Sequence, residues 1–172
     1  DYSPSGKTIL DILEKANLCI IPNRFSNDLL QFHEDKTSAK ITGLWGKRNN
    51  LEIQDYQSLN ALHLEKENGF KIFMLHTSVE SFLPKELSML PTLPLNSLPK
   101  NFNYYALSHI HYKLHKKLIN AIMAQPGSLF PVNFHELEKY NYGGFYLADD
   151  SLNLEFIPVK LKEVIPISIK AS

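Results

Sequence analysis

Two short apolar runs, Phe70-Lys71-Ile72-Phe73-Met74-Leu75 and Tyr104-Tyr105-Ala106-Leu107, are each followed by a histidine, the first directly at His76 and the second after one residue at His109. Both are too short for a core helix and are closed by polar segments, so they read as buried strands. Between them, residues 82–99 carry Pro84, Pro91, Pro94 and Pro99, which predicts a long irregular loop rather than a linker to a new domain. Buried strands that alternate with helical stretches predict an α/β fold. The length of 172 residues fits one domain.

The other elements are weaker. Ser3-Pro4 reads as a helix start, followed at helical spacing by Ile9, Ile12, Leu13 and Ala16, with Asn17 as a stop. Leu18-Cys19-Ile20-Ile21, closed by Pro22-Asn23, predicts a buried strand. Residues 29–32 and 39–45 predict two more strands around Glu34-Asp35-Lys36. Residues 54–66 predict one helix with Tyr56, Leu59 and Leu62 on its apolar face, ended by Gly69. Residues 117–124 read as a strand, Gln125-Pro126-Gly127-Ser128 as a type II turn, and residues 144–147 with 152–159 as a strand pair. Residues 161–169, with Pro166, read as an edge or connecting strand.

Lys and Arg together number 18 and so do Asp and Glu, which excludes nucleic-acid binding by bulk positive charge; such contact needs a local patch. Cys19 is the single cysteine, so an internal disulfide and a Cys-type zinc site are excluded, and a reducing compartment such as the cytoplasm is expected. No apolar run reaches the roughly 20 residues of a membrane helix, so no membrane partner is expected. Ser5-Gly6-Lys7-Thr8 resembles the tail of a phosphate-binding loop, but Asp1 stands where the first glycine belongs, and a helix start is the better reading.

His76, His109 and His111 lie just beyond the two apolar strands. The carboxyl ends of strands are where ligands bind in α/β sheets. The spacing of His109 and His111 puts both imidazoles on one side of an extended chain, and a third from the neighbouring strand completes an N-ligand set for Zn, Mn or Fe. Any one of these histidines taken alone also fits a satisfied core or surface residue. His63, beside Glu65 and Glu67, reads as solvated.

With these motifs in place the chain resembles the calcineurin-like metallophosphoesterases, and among them the SbcD-type nuclease subunit of double-strand-break repair. The carriers are the strand ending in Leu75-His76-Thr77-Ser78, the segment Leu107-Ser108-His109-Ile110-His111, then Gln125-Pro126-Gly127-Ser128-Leu129, Gly143-Gly144-Phe145-Tyr146-Leu147 and Leu154-Glu155-Phe156-Ile157-Pro158, in the family's order. The resemblance implies part of a two-sheet β-sandwich flanked by helices, with the strands at Leu18, Phe70 and Tyr104 central and those from Lys117 onward in the second sheet. It also implies a metal-dependent DNA exonuclease or endonuclease that uses two manganese ions, with His76 and His109 matching ligands of one metal and His111 a ligand of the other. Ser108 stands where the family has glycine, and its side chain restricts the backbone there.

The family's Asp-x-His, bridging Asp and Gly-Asn-His-Asp motifs do not occur in this sequence, and Asp1 resembles the last residue of the third. The expectation is therefore the C-terminal half of a phosphoesterase domain over residues 1–159, with residues 160–172 beginning a connection to a capping domain, inactive by itself. Two alternatives are another calcineurin-like phosphoesterase and a non-catalytic DNA-end-binding or structural module. Implied partners are DNA ends, a coiled-coil SMC-type ATPase subunit and a second copy. Phosphate contacts are expected at Lys47, Arg48, Lys113, Lys116 and Lys117, and a dimer contact at Ile9, Leu10 and Leu13.

Overall fold

The structure, a computed structural model, describes residues 8–169. The helix start at Ser3-Pro4 and the segment Ser5-Gly6-Lys7 lie outside them. Helix α1 (Ile9–Lys15) has Thr8 as its N-cap, whose backbone N–H and hydroxyl both donate to the Asp11 carboxylate, at 2.5 and 2.8 Å. Asn17 ends it as expected: its φ of 56° is left-handed, and Leu18 N donates to Leu13 O at 2.9 Å.

The strand expected at residues 18–21 does not form. Glu14 takes the Ile21 N–H at 2.9 Å and pairs with Arg24 at the same distance, so the chain there is tied to α1 rather than to a sheet. Leu18 and Ile20 are exposed. Next comes a hairpin of β1 (Arg24–Ser26) and β2 (Leu29–Gln31), with Leu30 fully buried.

The main sheet has six strands: β3 (His33–Glu34), β4 (Lys40–Leu44), β5 (Lys71–His76), β6 (Tyr104–Ser108), β7 (Leu114–Lys117) and β8 (Ile122–Gln125). Their order is β3-β4-β5-β6-β8-β7; the links β4-β5, β5-β6 and β6-β8 are parallel and the two outer links antiparallel. The runs at Phe70 and Tyr104 are thus central. The single strand expected over residues 117–124 is a hairpin: Leu118 N donates to Ala121 O at 2.8 Å, and the apolar Ile119 that imitates a strand position is exposed at the turn. This hairpin extends the main sheet, so the second sheet does not begin at Lys117. The separate pair is β9 (Gly143–Ala148) with β10 (Leu154–Val159), antiparallel as expected. No strand forms in the described residues after β10, where Leu161, Ile165, Ile167 and Ile169 are exposed.

The expected helix over residues 54–66 is two, α2 (Glu52–Ser58) and α3 (Leu62–Lys66), because Leu59 is extended. The break lets Tyr56 and Leu64 both reach one face of the sheet, where Phe73, Leu75, Tyr105, Leu107 and Met123 form the core. Phe73 and Phe102 meet edge to face at 5.2 Å. The proline-rich segment is irregular, as expected, but its Phe82, Leu93 and Leu98 are buried in this core. His63 is not simply solvated: its Nε2 lies 2.7 Å from the Leu30 carbonyl. The opposite face is more open over β4 to β6, with Met74 45% exposed and Ile41, Ile72, Tyr104 and Ala106 half-buried. This mixed α/β architecture, a six-stranded sheet flanked by helices, is consistent with a calcineurin-like fold.

Candidate histidine site

His76 is the last residue of β5 and pairs in register with Ser108 at the end of β6. It lies on the same sheet face as Ile72 and Met74, since alternate residues share a face. Its ring packs on the bare backbone of Gly46: a Cβ there would run into His76 Cδ2 and fall 2.8 Å from the His76 carbonyl oxygen. Buried Glu52, from α2, holds this corner. Its Oε1 accepts from Thr77 Oγ1 and its Oε2 from Lys47 N, both at 3.0 Å, so one carboxylate fixes the turns after β4 and β5.

The His109 ring stands against that of His76, with centroids 5.1 Å apart at 68°. Burial, and next the neighbouring His109, hold the His76 imidazole below its ordinary pKa. The segment from His109 to His111 is not the extended chain expected. His109 has φ 92°, a left-handed backbone that turns its ring toward His76, while Ile110 is buried beneath. The conformational restriction expected at Ser108 therefore falls on His109; Ser108 is an ordinary strand residue.

His111 follows its own path: its Nδ1 lies 2.9 Å from Glu136 Oε1. Glu136 belongs to α4 (Phe134–Tyr140) and is 7% exposed. Sequence reasoning missed it. The available signal was Asn133 three residues earlier, the spacing of an N-cap and its acidic partner. The other missed residue, Glu52, carries no such signal.

The neutral nitrogens of His76, His109 and His111 suit a borderline divalent ion. Among the described residues, however, no group of three His, Cys, Asp or Glu is placed to hold one. The described residues by themselves do not fit a complete two-metal centre.

The expected phosphate contacts are dispersed. Lys47 pairs with Asp55 at 2.5 Å, and Arg48 is exposed in the turn that precedes α2. Lys113 Nζ sits 4.1 Å above the Phe156 ring. Lys116 and Lys117 are exposed neighbours on β7 and point to opposite faces. In α1 no residue is buried; Ile9 and Leu10 line a cavity of about 470 Å³ with Met74 and His76, while Leu13 is half-buried. No helix among the described residues is long and apolar enough to cross a membrane.

No family model matches the chain. It is 34% identical over 108 residues to the DNA double-strand break repair protein Mre11 of Methanocaldococcus jannaschii, a stretch that is 58% of this chain and 28% of the relative. With the protein of the same name from Methanococcus maripaludis it shares 30% over 133 residues, 72% of this chain and 35% of the relative. With that of Saccharolobus solfataricus it shares 34% over 115 residues, 62% and 30%. The chain spans about a third of the length of the curated relatives it matches. Over the larger part of its own length, then, the chain is similar to DNA double-strand break repair proteins named Mre11.

Proposed function

We propose that this chain is part of a DNA double-strand-break repair nuclease of SbcD or Mre11 type, a metal-dependent phosphodiesterase acting at DNA ends. The observation that carries the reading is the meeting of His76 and His109 at the ends of neighbouring parallel strands, with ring centroids 5.1 Å apart, at the positions the phosphoesterase motifs assign to metal ligands. The similarity to repair proteins over 58–72% of the chain supports it. His76, His109 and His111 supply the nitrogen side of a two-manganese centre, and ligands other than the described residues complete it. A second copy docked on Ile9, Leu10 and Leu13, and an SMC-type ATPase subunit, are the protein partners in this reading. Lys113, Lys116 and Lys117 supply phosphate contacts, and Lys47 and Arg48 a second set.

Two measurements test it on the 172-residue chain. Added Mn²⁺ should broaden the NMR ring signals of His76 and His109 before those of His33 and His135. Equal broadening of all four rejects the metal site. Binding to a blunt DNA duplex should weaken with salt, and Lys116→Ala plus Lys117→Ala should reduce the slope of log K against log salt by about 1, the value for one phosphate no longer neutralised, because the two side chains point to opposite faces of β7. An unchanged slope removes β7 from the DNA surface.

A further inference from the structure

Glu136 receives far more than a helix cap requires. Asn133 is the N-cap of α4: its Oδ1 accepts from Glu136 N, and its Nδ2 donates to Glu136 Oε1, both at 2.9 Å. In an ordinary capping box the acidic side chain turns back to the N-cap backbone N–H. Here the carboxylate takes instead the Val132 N–H at 3.1 Å and the Ser128 hydroxyl at 2.9 Å on Oε2, and meets His111 Nδ1 at 2.9 Å on Oε1. The group is 7% exposed, yet four partners surround its two oxygens, which is the full acceptor capacity of a carboxylate. The segment from Ser128 to Glu136 is thereby folded around one side chain, and among the described residues the single partner that side chain has outside the segment is His111.

The identity of the partners decides where the hydrogen between Glu136 and His111 lies. Val132 offers an N–H and nothing else. Asn133 cannot be reversed, because its Oδ1 already serves Glu136 N. Its Nδ2 therefore points a hydrogen at Oε1, and the hydrogen between Oε1 and the imidazole belongs to Nδ1. A neutral imidazole with its hydrogen on Nδ1 carries its lone pair on Nε2. Unrestrained imidazoles prefer the opposite tautomer, so this arrangement has to be imposed.

We infer that Glu136 is a positioning residue: from the start of α4 it fixes the ring of His111 and its tautomer, so that His111 presents a bare Nε2 as ligand or acceptor. The tautomer is a property of the chain itself; its use as a ligand rests on the function proposed above. Carboxylates that hold the second nitrogen of a ligating histidine act in this way at metal sites generally.

The test uses the ¹⁵N-labelled 172-residue chain without metal, read by long-range ¹H–¹⁵N spectra of the histidine rings. His111 should be protonated on Nδ1. In Glu136→Ala it should shift mainly to the Nε2–H form, while Ser128→Ala, which removes one donor to the carboxylate but not the acceptor of His111, should leave it unchanged. An Nε2–H His111 in the unaltered chain overturns the inference and needs no variant to fold. So does an Nδ1–H tautomer that persists in a folded Glu136→Ala chain. Mn²⁺ is then added to the same samples. Glu136→Ala should raise the concentration that half-broadens the His111 ring by about 10-fold or more and leave that for His76 within 2-fold. If the His111 midpoint does not move while the tautomer does, the positioning role is rejected. If Mn²⁺ broadens none of the three rings in the unaltered chain, the proposed metal centre fails while the tautomer result stands.

Discussion

At the residue scale the site is costly for the fold. A non-glycine residue at φ 92° stores strain on the order of 1–3 kcal/mol, and His109 bears it. His109→Gly should therefore raise stability by about 1 kcal/mol, the relief of strain being partly offset by the greater freedom of glycine in the unfolded chain. The same change removes the ring that faces His76. Urea unfolding checks the first effect, and the shift of the His76 ring signals checks the second. If His109→Gly lowers stability instead, the ring packing outweighs the strain. The three histidines were legible in the sequence because each follows an apolar run. Their division was not: the extended spacing of His109 and His111 suggested one shared side, and the left-handed turn at His109 sends one ring to His76 and the other to Glu136.

At the element scale, legibility followed burial. Strands β5 and β6 were evident because they are central and apolar. Residues 18–21 are as apolar, yet form no strand: Glu14 captures the backbone donor of Ile21. The hairpin of β7 and β8 read as one strand because its turn carries Leu118 and Ile119, apolar residues that composition cannot tell from strand positions. The α2 helix was half legible, and what it does for the site was not: Glu52 ties the turn after β4 to the turn after β5. The close seat of His76 on Gly46 depends on that tie. Gly46→Ala would drive a methyl group into both the ring and the carbonyl of His76. It should cost about 1–3 kcal/mol in urea unfolding and move the His76 ring signals more than those of His111. Unchanged stability and unchanged His76 shifts in Gly46→Ala would show that the corner yields easily.

At the scale of the whole molecule the two faces of the main sheet are unequal. One packs against α2, α3 and the proline-rich segment. The other leaves Met74 45% exposed among Ile41, Ile72, Tyr104 and Ala106. Exposed apolar patches of this kind favour association. The chain should sediment with a concentration-dependent mass, and Met74→Glu should shift it toward monomer without lowering its melting temperature by more than a few degrees. A strictly monomeric chain at all concentrations would count against an adhesive face.

The parallel core of this sheet also sets how the chain must reach its fold. No hairpin joins β4 to β5 or β5 to β6; each pair closes only after a crossover, the second through the long irregular segment between His76 and Tyr104. Loop closure must precede the contacts that reward it, so such a sheet assembles slowly, and its strands stay unpaired for longer than those of a meander. Trp45, the one tryptophan, follows directly on the β4 residue that pairs with Leu75. Its fluorescence therefore reports the closing of the first parallel pair, the step that brings the Gly46 seat to His76.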